Sequence, residues 1–149
     1  MDAKLRPVRI LLVEDNPHDV EIMIRALKKG HVKNDLVVAR DGQEALDILY
    51  GHTAGESELP GLILLDLNLP KVGGLEVLER IKRDPGLKRI PVIILTTSKR
   101  EEDVVRSYDL GVNTFITKPV GFEDFIKVVA TLNEYWLIIA TLPPTAHKR

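Results

Sequence analysis

An apolar run ends in a carboxylate at Leu62-Ile63-Leu64-Leu65-Asp66-Leu67-Asn68-Leu69-Pro70. Pro60-Gly61 precedes the run and Pro70 closes it, so its length suits a strand better than a helix. Continuous apolarity of this kind is typical of a strand that is buried on both faces of a parallel sheet. We therefore expect Asp66 at the carboxyl end of a central strand, where open α/β sheets bind their ligands. Capping of the next turn by Asp66 is the alternative explanation.

The rest of the chain alternates strands and helices around this run. Short β-rich apolar segments predict strands at residues 8–13, 36–39, 91–95 and 114–117. Apolar residues at helical spacing predict the intervening helices. The marker residues are Val20, Met23, Ile24 and Leu27; Ala45, Leu46, Ile48 and Leu49; Leu75, Val77, Leu78 and Ile81; Val104, Val105 and Tyr108; and a last helix that begins near Phe122. Five strands alternating with five helices predict a doubly wound α/β fold with a parallel sheet and right-handed crossovers.

Composition and charge limit the classes of function. The 149 residues are 44% hydrophobic and 29% charged, which suits one globular domain. Lys and Arg number 21 against 22 Asp and Glu, so no overall field favours nucleic acid or a membrane surface as partner. The sequence has no cysteine, which excludes disulfides and thiolate chemistry. We find no apolar signal segment and no run of membrane-spanning length, and we therefore expect a cytoplasmic protein.

Acidic and polar residues stand where the predicted strands end. They are Glu14 and Asp15 after the first strand, Asp66 after the third, Thr96 after the fourth and Lys118 after the fifth. Because the carboxyl ends of parallel strands share one edge of the sheet, we expect these side chains to meet there. Carboxylates without cysteine or paired histidine favour a hard divalent cation, usually Mg²⁺. A carboxylate nucleophile beside a cation and hydrogen-bond donors is what phosphoryl transfer requires, and Asp66 is the natural nucleophile.

Taken together, these motifs resemble the receiver domain of two-component response regulators, which has a flavodoxin-like fold. The resemblance runs from residue 8 to about residue 132. It rests on Leu12-Val13-Glu14-Asp15-Asn16, Leu65-Asp66-Leu67-Asn68-Leu69-Pro70, Gly73-Gly74, Thr96 and Lys118-Pro119. It implies a single receiver domain over residues 1–149, with a core of about 8–132 and a C-terminal extension at 133–149.

The resemblance implies a phosphoacceptor signalling protein rather than an enzyme, with self-dephosphorylation compatible with that role. Asp66 is then the residue that accepts a phosphoryl group from a sensor histidine kinase. The resemblance also implies that Asp15, Asp66 and the backbone carbonyl of Asn68 hold Mg²⁺, while Glu14 acts through water. No cofactor other than Mg²⁺ is implied.

The resemblance further assigns the residues that report phosphorylation. Thr96 and Lys118 are expected to contact the phosphoryl group and to signal its presence to the helix after the fourth strand. Phe115 stands at the position of the family's aromatic switch residue, where many members have tyrosine. Core packing is an equally supported role for Phe115, because aromatic residues dominate cores.

A haloacid-dehalogenase-like phosphatase is the enzyme alternative, since it also uses a strand-end aspartate, a threonine or serine, a lysine and Mg²⁺. Its general acid, two residues after the nucleophile, would be Asn68, whose amide cannot act as an acid. Its acidic metal ligands follow the lysine, whereas Glu14-Asp15 precede the nucleophile. A receiver-like module that binds proteins without phosphorylation is the other alternative.

The sequence of the C-terminal extension indicates which class of histidine kinase is the partner and whether the protein forms a dimer. Residues 133–144, and the loop at 51–60, resemble those of single-domain regulators paired with phytochrome-type histidine kinases. A helical apolar stripe is formed by Phe125, Val128, Val129, Leu132, Tyr135, Trp136 and Ile139. Leu137 and Ile138 fall outside the stripe, so their burial in a second subunit predicts a homodimer through this helix. Folding of the tail back onto its own domain is the alternative.

Overall fold

The structure of the chain is a computed structural model that describes residues 8–29, 34–51, 59–96, 100–112 and 114–117, with Asp124, Lys127 and Thr131. Its strands are β1 (Val8–Val13), β2 (Asn34–Ala39), β3 (Leu62–Leu65), β4 (Val92–Thr96) and β5 (Thr114–Thr117). Its helices are α1 (Pro17–Lys29), α2 (Gly42–Gly51), α3 (Gly74–Arg83) and α4 (Glu101–Asp109). Asp124, Lys127 and Thr131 are helical, and the predicted last helix and its extension otherwise lie outside the described residues.

All five strands pair in parallel in the order β2-β1-β3-β4-β5. The predicted doubly wound α/β fold is therefore confirmed. The chain moves outward from β1 to β2 and then returns to place β3 on the other side of β1. This reversal leaves a crevice at the carboxyl ends of β1 and β3, which is the usual ligand site of such sheets.

The strands are apolar throughout because both faces of the sheet are covered. Every residue of β3 and β4 is buried. Alternate strand residues point to opposite faces and join two separate cores. One core combines Ile10, Leu12, Leu62, Leu64, Ile93 and Leu95 with Val20, Met23 and Leu27 of α1. The other combines Leu11, Val13, Ile63, Leu65, Val92 and Ile94 with Ala45, Leu46 and Leu49 of α2 and Val77, Leu78 and Ile81 of α3.

Helix α1 begins at a side-chain cap that also fixes the end of β1. The Asn16 side-chain oxygen accepts hydrogen bonds from the backbone N–H groups of His18 at 2.8 Å and Asp19 at 3.2 Å. These bonds satisfy donors that the first turn of a helix leaves without a partner. Asn16 is thus the cap, which leaves Asp15 available for another role.

Helix α4 lies where Val104, Val105 and Tyr108 predict a helix. Tyr108 is nevertheless 50% exposed. Among the residues of α4 whose side chains the structure describes, Asp103 is buried at 7% exposure and Ser107 at 0%. Burial of the Asp103 carboxylate is compensated by the Arg100 guanidinium, whose Nε lies 3.3 Å from Asp103 Oδ2.

Replacement of Ser107 by alanine is expected to stabilise the protein. The Ser107 hydroxyl has no hydrogen-bond partner within the part of the chain that the structure describes. A buried hydroxyl without a partner costs about 1–3 kcal/mol, and alanine also has the higher helix propensity. We expect Ser107→Ala to raise the free energy of unfolding by about 1 kcal/mol in urea titrations. A lower urea midpoint with an unchanged m value would show that the hydroxyl is satisfied.

Candidate functional site

The two central strands deliver acidic residues to one edge of the sheet. Glu14 and Asp15 directly follow β1, and Asp66 directly follows β3. The parallel hydrogen bonding continues past the strand ends, since Glu14 N–H donates to the Ala39 carbonyl at 2.9 Å and Asp66 N–H donates to the Val13 carbonyl at 3.1 Å. Backbone bonding therefore fixes where these acids leave the sheet.

The structure brings Glu14, Asp15 and Asp66 into one cluster. One carboxylate oxygen from each lies within 4.8 Å of those of the other two. Glu14 is 3% exposed and Asp66 is 6% exposed, whereas Asp15 is on the surface. Negative charges that are this close and partly withdrawn from water repel each other strongly. A cation between them would remove that repulsion.

The cluster has the donor chemistry and spacing of a divalent metal site. Oxygen ligands of Mg²⁺ lie about 2.1 Å from the ion, so two of them are at most about 4.2 Å apart. The carboxylate oxygens here lie within 4.8 Å of one another. A small movement of the side chains, or one bridging water, would therefore let them enclose such an ion. Hard oxygen ligands without sulfur or imidazole select Mg²⁺, Mn²⁺ or Ca²⁺ over softer metals.

Each buried acid is oriented by the backbone two residues further on. The Asn16 N–H donates to Glu14 Oε2 at 3.2 Å, and the Asn68 N–H donates to Asp66 Oδ1 at 3.2 Å. A hydrogen bond from a backbone N–H restricts the rotamers of the carboxylate that accepts it. Both acids are therefore presented to the cluster in defined orientations.

The end of β4 adds a hydroxyl to the same edge. Thr96 is fully buried, and its hydroxyl oxygen accepts a hydrogen bond from the Asn68 side-chain amide at 3.4 Å. Thr96 pairs in register with Thr117, the last residue of β5. Asn68, which orients the Asp66 carboxylate, thus also contacts the threonine that ends the neighbouring strand, a link that the sequence did not indicate.

The remaining predicted site residues are only partly located. Phe115 lies in β5 opposite Ile94 of β4, which is where the sequence places the fifth strand. Lys118 follows the last residue of β5 in the sequence and lies outside the described residues. Of the predicted site, the structure brings together Glu14, Asp15, Asp66, Asn68 and Thr96.

The loop after Asp66 depends on a close backbone approach at Gly74. A Cβ atom on Gly74 would lie 2.4 Å from the Asp66 carbonyl oxygen and 2.5 Å from Leu67 Cα. The Gly74 N–H also donates to the Leu67 carbonyl at 3.1 Å. The sequence pair Gly73-Gly74 predicted a loop here, but it could not indicate that only the second glycine is in close contact.

In the described part of the chain, no helix is long and apolar enough to cross a membrane.

A family model and a similar protein both relate this chain to response regulators. Residues 10–130 match the family model described as the response regulator receiver domain. Response regulator Rcp1 of Synechocystis sp. (strain ATCC 27184 / PCC 6803 / Kazusa) is 46% identical over 143 residues, which cover 95% of this chain and 97% of that protein. The family that matches is thus the receiver family and not the phosphatase considered as an alternative.

Solved structures agree with this match. The phosphorylated cyanobacterial phytochrome response regulator RcpA superposes with a TM-score of 0.86 at 46% identity, covering 93% of this chain and 99% of that one. The Mn²⁺-bound form of response regulator Rcp1 superposes with a TM-score of 0.85 at 45% identity, covering 92% and 99%. The superposed region covers nearly the whole of both crystallised chains. The chain belongs to the response regulator receiver domain family.

Proposed function

We propose that this protein is a single-domain response regulator in which Asp66 accepts a phosphoryl group from a sensor histidine kinase. The observation that carries the proposal is the acid cluster, in which the buried Asp66 has carboxylate oxygens of Glu14 and Asp15 within 4.8 Å. Residues 1–149 form one receiver domain, with a core of about 8–132 and an extension at 133–149. The protein signals by phosphorylation-dependent contacts with other proteins and turns over no substrate of its own.

The chain's residues supply a nucleophile and its orientation. An Asp66 carboxylate oxygen attacks phosphorus, the bond from phosphorus to the kinase histidine nitrogen breaks, and the electron pair leaves with the imidazole. The hydrogen bond from the Asn68 N–H to Asp66 Oδ1 holds the carboxylate for an in-line approach. Because the site is largely withdrawn from water, charges around the transferring group act strongly.

A divalent cation, proposed here to be Mg²⁺, fits the residues of this site. Asp15, Asp66 and the Asn68 backbone carbonyl would hold it, with Glu14 acting through water. When bound, it supplies positive charge that offsets the carboxylates and the phosphoryl oxygens. The acid cluster supports a divalent metal at this place, and a Mn²⁺-bound form of the relative Rcp1 supports divalent metal binding by a protein of this kind.

Thr96, Lys118 and Phe115 are proposed to report the phosphoryl group. Lys118 neutralises its charge, and the Thr96 hydroxyl donates to one of its oxygens. In the present structure that hydroxyl is in contact with the Asn68 amide. The hydroxyl can donate to a phosphoryl oxygen while it accepts from the Asn68 amide. Phosphorylation thus adds a partner to Thr96, which leads directly into the segment that precedes α4. Phe115 adjusts on the neighbouring strand in response.

The partner is proposed to be a histidine kinase of the phytochrome type, in the cytoplasm. The support is the 46% identity, over nearly the whole chain, to the cyanobacterial phytochrome response regulator RcpA. A net charge of -1 supports protein partners over direct contact with nucleic acid or a membrane surface.

Intact-mass spectrometry after incubation with a small phosphodonor tests the function. We expect one phosphoryl group to accumulate on each chain when Mg²⁺ is present and none when a chelator removes it. Asp66→Asn should remain unmodified, because the amide lacks the nucleophilic oxygen anion. Continuous consumption of donor without an accumulated adduct would indicate a phosphatase, and full modification of Asp66→Asn would exclude Asp66 as the acceptor.

We also propose that the protein forms a homodimer through its C-terminal helix. The apolar excess at Leu137 and Ile138 supports this, because burying each side chain contributes roughly 1.5–3 kcal/mol. Sedimentation should show a dimer for the full chain and a monomer after deletion of residues 135–149. A full-length protein that stays monomeric at tens of micromolar, phosphorylated or not, contradicts the dimer.

A further inference from the structure

The start of α2 supports the loop that follows Asp66, here called the acceptor loop (residues 67–73). Gly42, the first residue of α2, is buried. A Cβ atom on Gly42 would lie 1.8 Å from the Val72 carbonyl oxygen and 2.7 Å from the Val72 carbonyl carbon. Both are backbone atoms, which cannot turn aside as the end of a flexible side chain can. The acceptor loop therefore rests directly on the backbone of α2.

The helix start is rigid at this contact. Asp41 Oδ1 accepts a hydrogen bond from the Glu44 N–H at 2.7 Å, and the Arg40 N–H donates to Glu44 Oε1 at 2.8 Å. This reciprocal pattern resembles a capping box and fixes the first turn of α2. Asp41 Oδ2 also lies 3.6 Å from the ammonium of Lys71 in the acceptor loop. A side chain at residue 42 can therefore be accommodated only if this capped turn moves as a unit or the acceptor loop moves.

The acceptor loop has little slack to absorb a displacement. Lys71 has a φ of 68°, a left-handed conformation that is uncommon outside glycine. The Leu69 N–H donates to the Leu67 carbonyl at 3.2 Å, which closes a tight turn. Leu69 and Val72 pack against the core between the sheet, α2 and α3. A shift at Val72 is therefore expected to move the rest of the loop.

The other end of the acceptor loop carries the contacts that orient the acid site. The Asn68 backbone N–H donates to Asp66 Oδ1, and the Asn68 side chain donates to the Thr96 hydroxyl. The chain from Val72 back to Asn68 thus joins the Gly42 contact to Asp66 and Thr96. None of the acidic, hydroxyl or lysine positions of the proposed site lies in α2.

We propose that Gly42 is a positioning residue for the acid site, which rests on the proposed function of Asp66. Its missing side chain lets the Val72 carbonyl rest on α2, and this contact holds Asn68 where it can orient Asp66 and contact Thr96. Gly42 acts through the loop and touches neither the metal nor the phosphoryl group.

The test compares Gly42→Ala with Gly51→Ala in the same helix, where an added Cβ meets no atom of the described residues within 4 Å. In ¹H–¹⁵N spectra without metal, Gly42→Ala should shift the amide signals of residues 66–73 and of Thr96, while those of residues 84–90 stay in place. Titration calorimetry with Mg²⁺ should show at least tenfold weaker binding. Phosphorylation by the small phosphodonor should slow by a similar factor. Gly51→Ala should match the wild type in each measurement.

A second variant covers the case in which Gly42→Ala does not fold. Val72→Gly keeps Gly42 but releases the carbonyl from its fixed position, and it should give the same shifts and weaker Mg²⁺ binding. If Gly42→Ala folds and its amide signals at residues 66–68 match those of the wild type, the proposal is overturned. If Gly42→Ala does not fold, the same result in Val72→Gly overturns it. Failure of the wild type to accept a phosphoryl group instead counts against Asp66, because the amide signals decide the positioning role without phosphorylation.

Discussion

Asp15→Asn is expected to weaken Mg²⁺ binding by about 30-fold or more and to raise the unfolding temperature of the metal-free protein. A unit charge about 4 Å away contributes ~1 kcal/mol even in water, so a divalent cation loses about 2 kcal/mol when one carboxylate is neutralised. That loss corresponds to about 30-fold in affinity. Without metal, the same change removes repulsion among carboxylates whose oxygens lie within 4.8 Å of one another. Titration calorimetry and thermal unfolding, each with and without Mg²⁺, measure the two effects.

Asp109→Asn is the matched control, because it removes the same charge from an exposed position at the end of α4. It should leave both Mg²⁺ affinity and metal-free stability close to those of the wild type. The diagnostic feature of Asp15→Asn is that Mg²⁺ binding becomes weaker while the metal-free protein becomes more stable. If Asp15 had a purely structural role, its replacement would lower the stability of the protein both with and without metal. An Asp15→Asn protein that is less stable without metal and binds Mg²⁺ normally would show that Asp15 is not in the metal site.

Gly74→Ala is expected to lower the free energy of unfolding by about 1–3 kcal/mol or more and to impair metal binding. The added Cβ would lie 2.4 Å from the Asp66 carbonyl oxygen. Because the clash is with the backbone of the acceptor residue, relief requires the end of β3 or the start of α3 to move. A movement of the end of β3 displaces Asp66 from the cluster, and a movement of α3 shifts the loop that carries Asn68. Urea unfolding and Mg²⁺ titration of the same preparation measure both losses.

The adjacent glycine provides the control. A Cβ on Gly73 has nothing within 4 Å, and its backbone at φ -69° and ψ 161° suits any residue. Gly73→Ala should therefore change stability by no more than about 0.5 kcal/mol. If both alanine variants behave alike, loop flexibility rather than the close approach at Gly74 explains the glycine pair.

The sequence was sufficient to predict the sheet and the edge on which the acids meet. Runs such as residues 62–65 are apolar at every position because helices cover both faces of a parallel sheet. Once such strands are parallel, residues that directly follow them, such as Asp15 and Asp66, must share one edge. Local sequence then determines a nonlocal arrangement, which explains why the cluster can be predicted from the sequence.

Features that depend on packing between distant segments could not be predicted in this way. Helix α4 buries two polar residues, Ser107 and Asp103, and the Asp103 carboxylate is compensated by Arg100. Apolar periodicity alone does not indicate that polar residues of a helix are buried. The contact between Gly42 and the Val72 carbonyl joins residues thirty positions apart. Asp41-Gly42 has the sequence signature of an ordinary turn, so nothing local indicates that contact.

The most direct test of the central claim is to locate the phosphoryl group chemically. After reaction with the small phosphodonor and Mg²⁺, the protein is treated with borohydride, which reduces an acyl phosphate to an alcohol and so converts phosphorylated aspartate to homoserine. Peptide mass spectrometry then identifies the position that has changed. We predict homoserine at residue 66 and nowhere else, and none when Mg²⁺ is withheld. Homoserine at residue 15 with residue 66 unchanged, or a borohydride-resistant phosphoryl group on another side chain, would contradict the account.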